Sequence, residues 1–171
     1  GRKHAGGFIA GLKAMGMIGL ESGKYLATDP LTLGKYGGKY AGGAMDSGFL
    51  DHAYQDKAFP IASGQTISQP FTVAFQTELL NVKKDHKILE IGTGSGYQAA
   101  ILCHMGAKVY TIERIKELFR KTSVFLPSIN YRPKKMIYGD GYLGYSEEAP
   151  YDSIIVTAGA SEIPEKLINQ L

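Results

Sequence analysis

Cysteine is nearly missing: Cys103 is the sole one in 171 residues. An internal disulfide is therefore excluded, and nothing in the chain calls for an oxidising compartment. Long apolar runs are missing too. None approaches the ~18–20 residues a helix needs to span a bilayer. The four histidines, His4, His52, His86 and His104, lack metal-ligand spacing, so no metal site is expected. Residues 49–171 carry acids and bases in equal number and lack the basic stripe of a nucleic-acid surface. What remains is ordinary. Hydrophobic residues at 44% and charged residues at 20% suit a soluble globular domain with a real core.

The excess charge and most of the glycine lie in the first quarter. Residues 1–48 hold Arg2, Lys3, Lys13, Lys24, Lys35 and Lys39 against Glu21, Asp29 and Asp46, together with 13 of the 22 glycines. Glycine raises the entropy cost of ordering a chain. The stretch from Gly34 to Gly43 repeats a Gly-Lys-Tyr theme and reads as loop. Phe8 to Leu20 is more apolar and suits a weak helix. Lys13 interrupts it and no convincing cleavage site follows, which argues against a secretory signal.

From residue 49 the pattern changes. Pro70 to Val82 reads as a helix that buries Val73, Leu79 and Leu80. Lys87 to Ile91 is a short apolar strand, Gly92 to Gly96 a glycine-rich turn, and Tyr97 to Met105 a helix that Gly106 stops. Lys108 to Ile112 is a second strand, and Ile115 to Phe125 a second helix bounded by Pro127. Lys135 to Tyr138 and Asp152 to Thr157 are further strands, and another helix runs from Ile163 to Leu171. Alternating strands and helices predict an α/β fold with a parallel sheet covered on both faces. Such sheets bind ligands beyond the carboxyl ends of their strands. Gly92 to Gly96, Glu113, Asp140 and Ala158 to Ser161 should therefore line one crevice. Tyr138, Tyr142, Tyr145 and Tyr151 read as loop and rim packing, since no basic residues lie among them. Cys103 and His104 read as structural residues on a buried helix face.

The sharpest motif is Glu90-Ile91-Gly92-Thr93-Gly94-Ser95-Gly96. Its spacing is G-x-G-x-G, whereas the dinucleotide fingerprint G-x-G-x-x-G would need a glycine at Tyr97. A nucleoside without a pyrophosphate fits better, and S-adenosylmethionine leads that class. Bare backbone at Gly92, Gly94 and Gly96 would allow close approach. Glu113, 21 positions after Gly92, can accept hydrogen bonds from two ribose hydroxyls. Asp140, within Gly139-Asp140-Gly141, is either an adenine partner or a plain turn residue. Ahead of the sheet, Pro60 to Pro70 reads as a small, polar loop leading into a helix. Ser68 there either caps that helix or holds a substrate carboxylate. It lacks a nucleophile-elbow context, which argues against a serine hydrolase.

From Ala53 onward the chain resembles the protein-L-isoaspartate O-methyltransferases of bacterial type. The resemblance rests on Ala53-Tyr54-Gln55-Asp56, Gly64-Gln65-Thr66-Ile67-Ser68, Ile88 to Ala100, Val109 to Arg114, Gly139-Asp140-Gly141 and Ala149 to Ala158. It implies a Rossmann-like class I S-adenosylmethionine-dependent methyltransferase fold over residues 49–171, incomplete at its C-terminal end relative to the family, behind a glycine-rich segment at 1–48. It implies cofactor contacts from Gln65, Thr66, Ile67, Ser68, Gly92, Gly96, Glu113, Asp140 and Gly141, with S-adenosylhomocysteine as product. Ser68 matches the family's active-site serine. Val156, Thr157, Ala158, Gly159 and Ala160 would lie beside the bound isoaspartyl residue. The implied activity is methylation of that residue's free carboxylate, which starts repair through a succinimide, in a cytoplasmic, monomeric class of enzyme acting on damaged proteins and peptides. A small-molecule methyltransferase of the same fold and a binding domain without turnover are the alternatives. The chain departs from the family at Ala62-Ser63-Gly64, where Gly-His-Gly is usual, and at Gly159-Ala160-Ser161, where Ala-Ala-Pro is usual.

Overall fold

The computed structural model describes residues 57–160 and 162–171, so the expectations for residues 1–48, Ala53 to Asp56 and Ser161 fall outside it. The described residues form two compact units, one ending at Asn81 and one running from Val82 to Leu171.

The first unit holds a small hairpin and a helix. Strand β1 (Phe59–Pro60) pairs antiparallel with β2 (Thr66–Ile67), Phe59 opposite Ile67. The chain reverses through a 3-10 turn at Ala62–Gly64, with Ser63 at φ 62° and Gly64 at φ 66°. The expected plain loop is thus a hairpin, closed by the Ile61 amide donating to the Gln65 carbonyl at 2.8 Å. Helix α1 (Pro70–Leu79) follows. Its N-cap is Gln69, and no side chain caps it. Ser68 stands one position too early for that role. Val73 and Thr77 are buried one turn apart, and the Thr77 hydroxyl donates to the Val73 carbonyl at 2.7 Å. Leu79 is 69% exposed, contrary to expectation. It is two residues past Thr77, about half a turn around from that stripe.

The second unit is a parallel sheet of β3 (Lys87–Ile91), β4 (Lys108–Glu113), β5 (Lys135–Tyr138) and β6 (Ser153–Val156), in the order β5-β4-β3-β6. Apolar, β-branched runs make these strands, and parallel pairing forces crossover connections between them. Helix α2 (Tyr97–His104) returns from β3 to β4 and packs on β4. Helix α3 (Lys116–Ser128) returns from β4 to β5 and packs on both. Gly106, at φ 83°, ends α2: its amide bonds the Cys103 carbonyl and the Ala107 amide the Leu102 carbonyl, a Schellman motif. Cys103 and His104 are only half-buried. Pro127 lies inside α3 and does not bound it. In the last turn a missing N–H forfeits only one bond, and the Tyr131 amide still reaches the Leu126 carbonyl.

Register sorts the side chains. Leu89 pairs with Tyr110 and Ile91 with Ile112. These four share one buried cluster with Tyr151 and Leu167, flanked by Ile137, Tyr145, Ile154 and Val156. That face is covered by the segment between β5 and β6 and by the short helix α4 (Glu165–Ile168), which is all that forms of the helix expected over Ile163 to Leu171. Tyr151 is therefore a core residue, not a rim one. Its hydroxyl donates to the Tyr145 carbonyl at 2.7 Å. Gln170 staples the same segment. Its Oε1 accepts from the Tyr145 amide at 2.7 Å, and its Nε2 donates to the Leu143 carbonyl at 3.0 Å. Gln170 is buried, so its loss strands two backbone groups away from water. Gln170→Ala should lower unfolding free energy by about 1–3 kcal/mol in a denaturant titration and speed hydrogen exchange at the Tyr145 amide.

Candidate active site

The carboxyl ends of β3, β4, β5 and β6 present the turn Gly92 to Gly96, Glu113, the Gly139 to Gly141 segment and Thr157 to Ala160. The turn winds through positive φ at Gly92 (96°), Gly94 (52°) and Gly96 (83°). Two of these glycines are also required by close packing. A Cβ on Gly92 would lie 2.9 Å from the Ala158 Cβ. One on Gly96 would lie 2.7 Å from the Thr122 Cγ2 and 3.0 Å from Leu126. Gly96 is buried beneath α3, whereas Gly92 and Gly94 stay partly exposed. The bareness of Gly96 therefore serves helix packing.

The turn is laced from within. The amides of Gly92 and Thr93 both donate to the Ile112 carbonyl, at 2.9 and 3.2 Å, and the Gly96 amide donates to the Thr93 carbonyl at 2.7 Å. The Thr122 hydroxyl donates to the Gly94 carbonyl at 2.6 Å. The Thr157 hydroxyl lies 2.7 Å from the Gly92 carbonyl and 3.0 Å from that of Ile91. The Gly94 amide donates to Glu113 Oε2 at 2.7 Å. With these amides engaged, the turn is not the open cluster of N–H groups that cradles a diphosphate.

Glu113 ends β4 and is buried. Its Oε1 accepts from the Ile115 amide at 2.8 Å. Each carboxylate oxygen has a second lone pair, so two further acceptor directions remain. The Gly139 amide donates to the Glu113 carbonyl at 3.0 Å, which draws the segment after β5 alongside. Asp140 is exposed, and its Oδ1 accepts from the Tyr142 amide at 3.0 Å, starting the 3-10 turn Gly141–Leu143. Gly141 is buried, and a Cβ there would collide with Ile91. Beyond β6 the Thr157 amide donates to the Ile91 carbonyl at 2.9 Å. Ala158, Gly159 and Ala160 follow as exposed backbone.

The structure thus brings together Gly92, Glu113, Asp140, Gly141 and Thr157 to Ala160. Gln65, Thr66, Ile67 and Ser68 belong to the first unit, on and just after β2. Gln65 and Thr66 are exposed, Ile67 is buried, and Ser68 is half-buried. Thr93, Thr111 and Thr122 carry no sequence signal for their roles in holding the turn. Threonine gives no local signal there, because its hydroxyl partners lie far along the chain. Glu90, an acid between Leu89 and Ile91, was the one visible anomaly. No group of three potential metal ligands occurs among the described residues, and no helix among them is long and apolar enough to cross a membrane. Burial pushes the Cys103 thiol up to about 12, which leaves it inert as a nucleophile at neutral pH.

Comparison with known proteins decides the family. The family model described as protein-L-isoaspartate(D-aspartate) O-methyltransferase matches residues 44–171. The chain belongs to this family. Protein-L-isoaspartate O-methyltransferase of Christiangramia forsetii is 62% identical over 144 residues, covering 84% of this chain and 68% of that one. Its counterpart in Flavobacterium johnsoniae is 66% identical over 127 residues, covering 74% and 60%. The chain therefore spans roughly two thirds or less of the curated relatives it matches. A solved Plasmodium falciparum structure, described as a protein-L-isoaspartate O-methyltransferase in complex with S-adenosyl-L-homocysteine, superimposes with a TM-score of 0.66 at 25% identity. It covers 98% of this chain and 79% of its own. As a protein-L-isoaspartate O-methyltransferase family member, the chain has the expected Rossmann-like class I methyltransferase fold.

Two glycines separate packing from openness. Gly96→Ala places a methyl against Thr122 and Leu126 at a positive φ and should cost about 1–3 kcal/mol. Gly159, whose Cβ would meet nothing within 4 Å, should accept alanine with a change below ~0.5 kcal/mol. Paired thermal and denaturant melts of the two variants check both.

Proposed function

We propose that the protein transfers a methyl group from S-adenosylmethionine to the free carboxylate of L-isoaspartyl residues in damaged proteins and peptides, initiating repair through a succinimide. The observation that carries this reading is the buried Glu113 at the strand ends, with acceptor directions to spare beside a turn whose amides are already engaged. That acceptor set suits a ribose diol and offers nothing to a diphosphate. When bound, S-adenosylmethionine supplies a methyl group activated by its sulfonium.

The chain's own tasks are then modest. Glu113 receives the ribose hydroxyls. Asp140 and the Gly141 amide stand for the adenine amino group and ring. Gly92 and Gly96 shape the turn, and Gln65, Thr66, Ile67 and Ser68 complete the cofactor contacts. Thr157, Ala158, Gly159 and Ala160 offer backbone to the isoaspartyl residue, with Val156 as their root in the sheet. Ser68 orients the accepting carboxylate. No general base is required, because a carboxyl titrating near ~4 is already ionised at neutral pH. Orientation is the main lever, and it can be worth ~7–11 kcal/mol of a barrier. The lone cysteine suits a reducing cytoplasm, and a monomer acting on isoaspartyl-containing proteins is the simplest assembly.

An isoaspartyl peptide and its aspartyl twin, offered with labelled S-adenosylmethionine, test the reading. Methyl incorporation should occur into the isoaspartyl peptide alone. Equal labelling of both, or labelling of neither, would overturn it. Ser68→Ala should lower kcat by about tenfold to a hundredfold, with a smaller loss of S-adenosylhomocysteine affinity, below about tenfold, read by calorimetry.

A further inference from the structure

Glu90 is the buried acid that the reaction above leaves unused. It sits mid-sheet in β3, and its side chain is fully buried. Oε2 accepts the Thr111 hydroxyl at 2.5 Å. The Thr111 oxygen lies 2.6 Å from the Thr93 hydroxyl, within the glycine turn. The Ala99 amide of α2 leans toward the carboxyl, yet Oε1 has no hydrogen-bond partner of good geometry. The titratable groups facing it are Glu113 on β4 and Cys103 on α2. Its register partner on β6, Ile155, is apolar, and no described lysine or arginine pairs with it.

A carboxylate in this position would be a buried charge with one oxygen unmet and a second carboxylate nearby. A neutral acid removes the buried charge and the repulsion, leaving only an uncharged oxygen unmet. Burial first, then repulsion from Glu113, pushes its pKa up to about 8. Three oxygens in a row therefore run from the sheet interior to the turn, and Thr93 is the residue directly before Gly94, whose amide holds Glu113.

We propose that Glu90 is a positioning residue carried as an uncharged acid: through Thr111 and Thr93 it fixes the glycine turn in the shape that keeps the Gly94 amide on Glu113. Loss of its proton to solvent sets a charge against Glu113 and loosens the turn. The link from Glu113 to the methyl donor rests on the function proposed above, but the state of Glu90 does not.

The test uses the ligand-free protein, so a failure of the functional reading leaves its outcome unaffected. Carbon-13 spectra of the wild type should show one glutamate carboxyl, assigned to Glu90, titrating near 8. Titration of every glutamate below about pH 6 would overturn the proposal. Thermal melts of wild type and Glu90→Gln between pH 5 and 9.5 supply the second readout. The folded protein holds a proton that the unfolded chain releases near its ordinary 4.5. Wild-type stability should therefore decline relative to the glutamine variant as pH rises from about 5, and level off above about 8. Parallel melting curves across that range would contradict it. Exchange of the Gly94 amide gives the local readout. In the wild type it should accelerate above pH 8 beyond the intrinsic base-catalysed rise, and in Glu90→Gln it should not. Thr111→Val, which cuts the chain of oxygens but keeps the acid, should raise Gly94 exchange about tenfold at pH 7. Unchanged exchange in Thr111→Val would remove the positioning role.

Discussion

The carboxylate of Glu113 ties the ends of two neighbouring strands together. Register places Ile91 beside Ile112, so the chain leaving β3 passes directly beside the residue closing β4. One carboxylate oxygen takes the Gly94 amide and the other the Ile115 amide, at 2.7 and 2.8 Å. Charge-assisted bonds of this length offset the cost of burying the acid. They also fix the start of α3 relative to the glycine turn. Each oxygen of the same carboxylate keeps a second lone pair.

The two sides of the sheet do different work around that tie. On one side, α2 and α3 pack closely enough that Gly96 has no room for a methyl. On the other, a segment with little regular structure covers the strands, held by the Tyr151 hydroxyl and the Gln170 amide. That segment carries Asp140 and Gly141 to the strand ends, and its inner wall is apolar core. Irregular backbone of this kind needs partners for its polar groups, and buried side-chain amides and hydroxyls supply them. Exposed backbone at Ala158 to Ala160 is the contrasting feature.

Much of this could be read from sequence. Apolar runs at Lys87–Ile91 and Lys108–Glu113, split by a glycine turn and a helix stopped at Gly106, specify a parallel pair almost by themselves. The place of Glu113 at a strand end could be read too, because the apolar run stops there. The failures share one cause: each depended on a partner far along the chain. Phe59–Pro60 looks like loop until Thr66–Ile67 lies against it. Leu79 looks like core until the helix turns it away from the buried stripe of Val73 and Thr77. Tyr151 looks like rim until Tyr110 and Leu167 close around it. The packing demand on Gly96 is equally silent in the sequence, because nothing local announces Thr122 and Leu126. A glycine's sequence shows that a side chain is excluded there, not what excludes it.

The most direct measurement is a crystal structure grown with S-adenosylhomocysteine. Its ribose hydroxyls should lie within hydrogen-bond distance of Glu113, with the Gly94 and Ile115 amides still on that carboxylate and the sulfur turned toward Thr157 to Ala160. A nucleoside bound away from the carboxyl ends of β3 and β4, or a Glu113 that makes no contact with the sugar, would contradict the assignment.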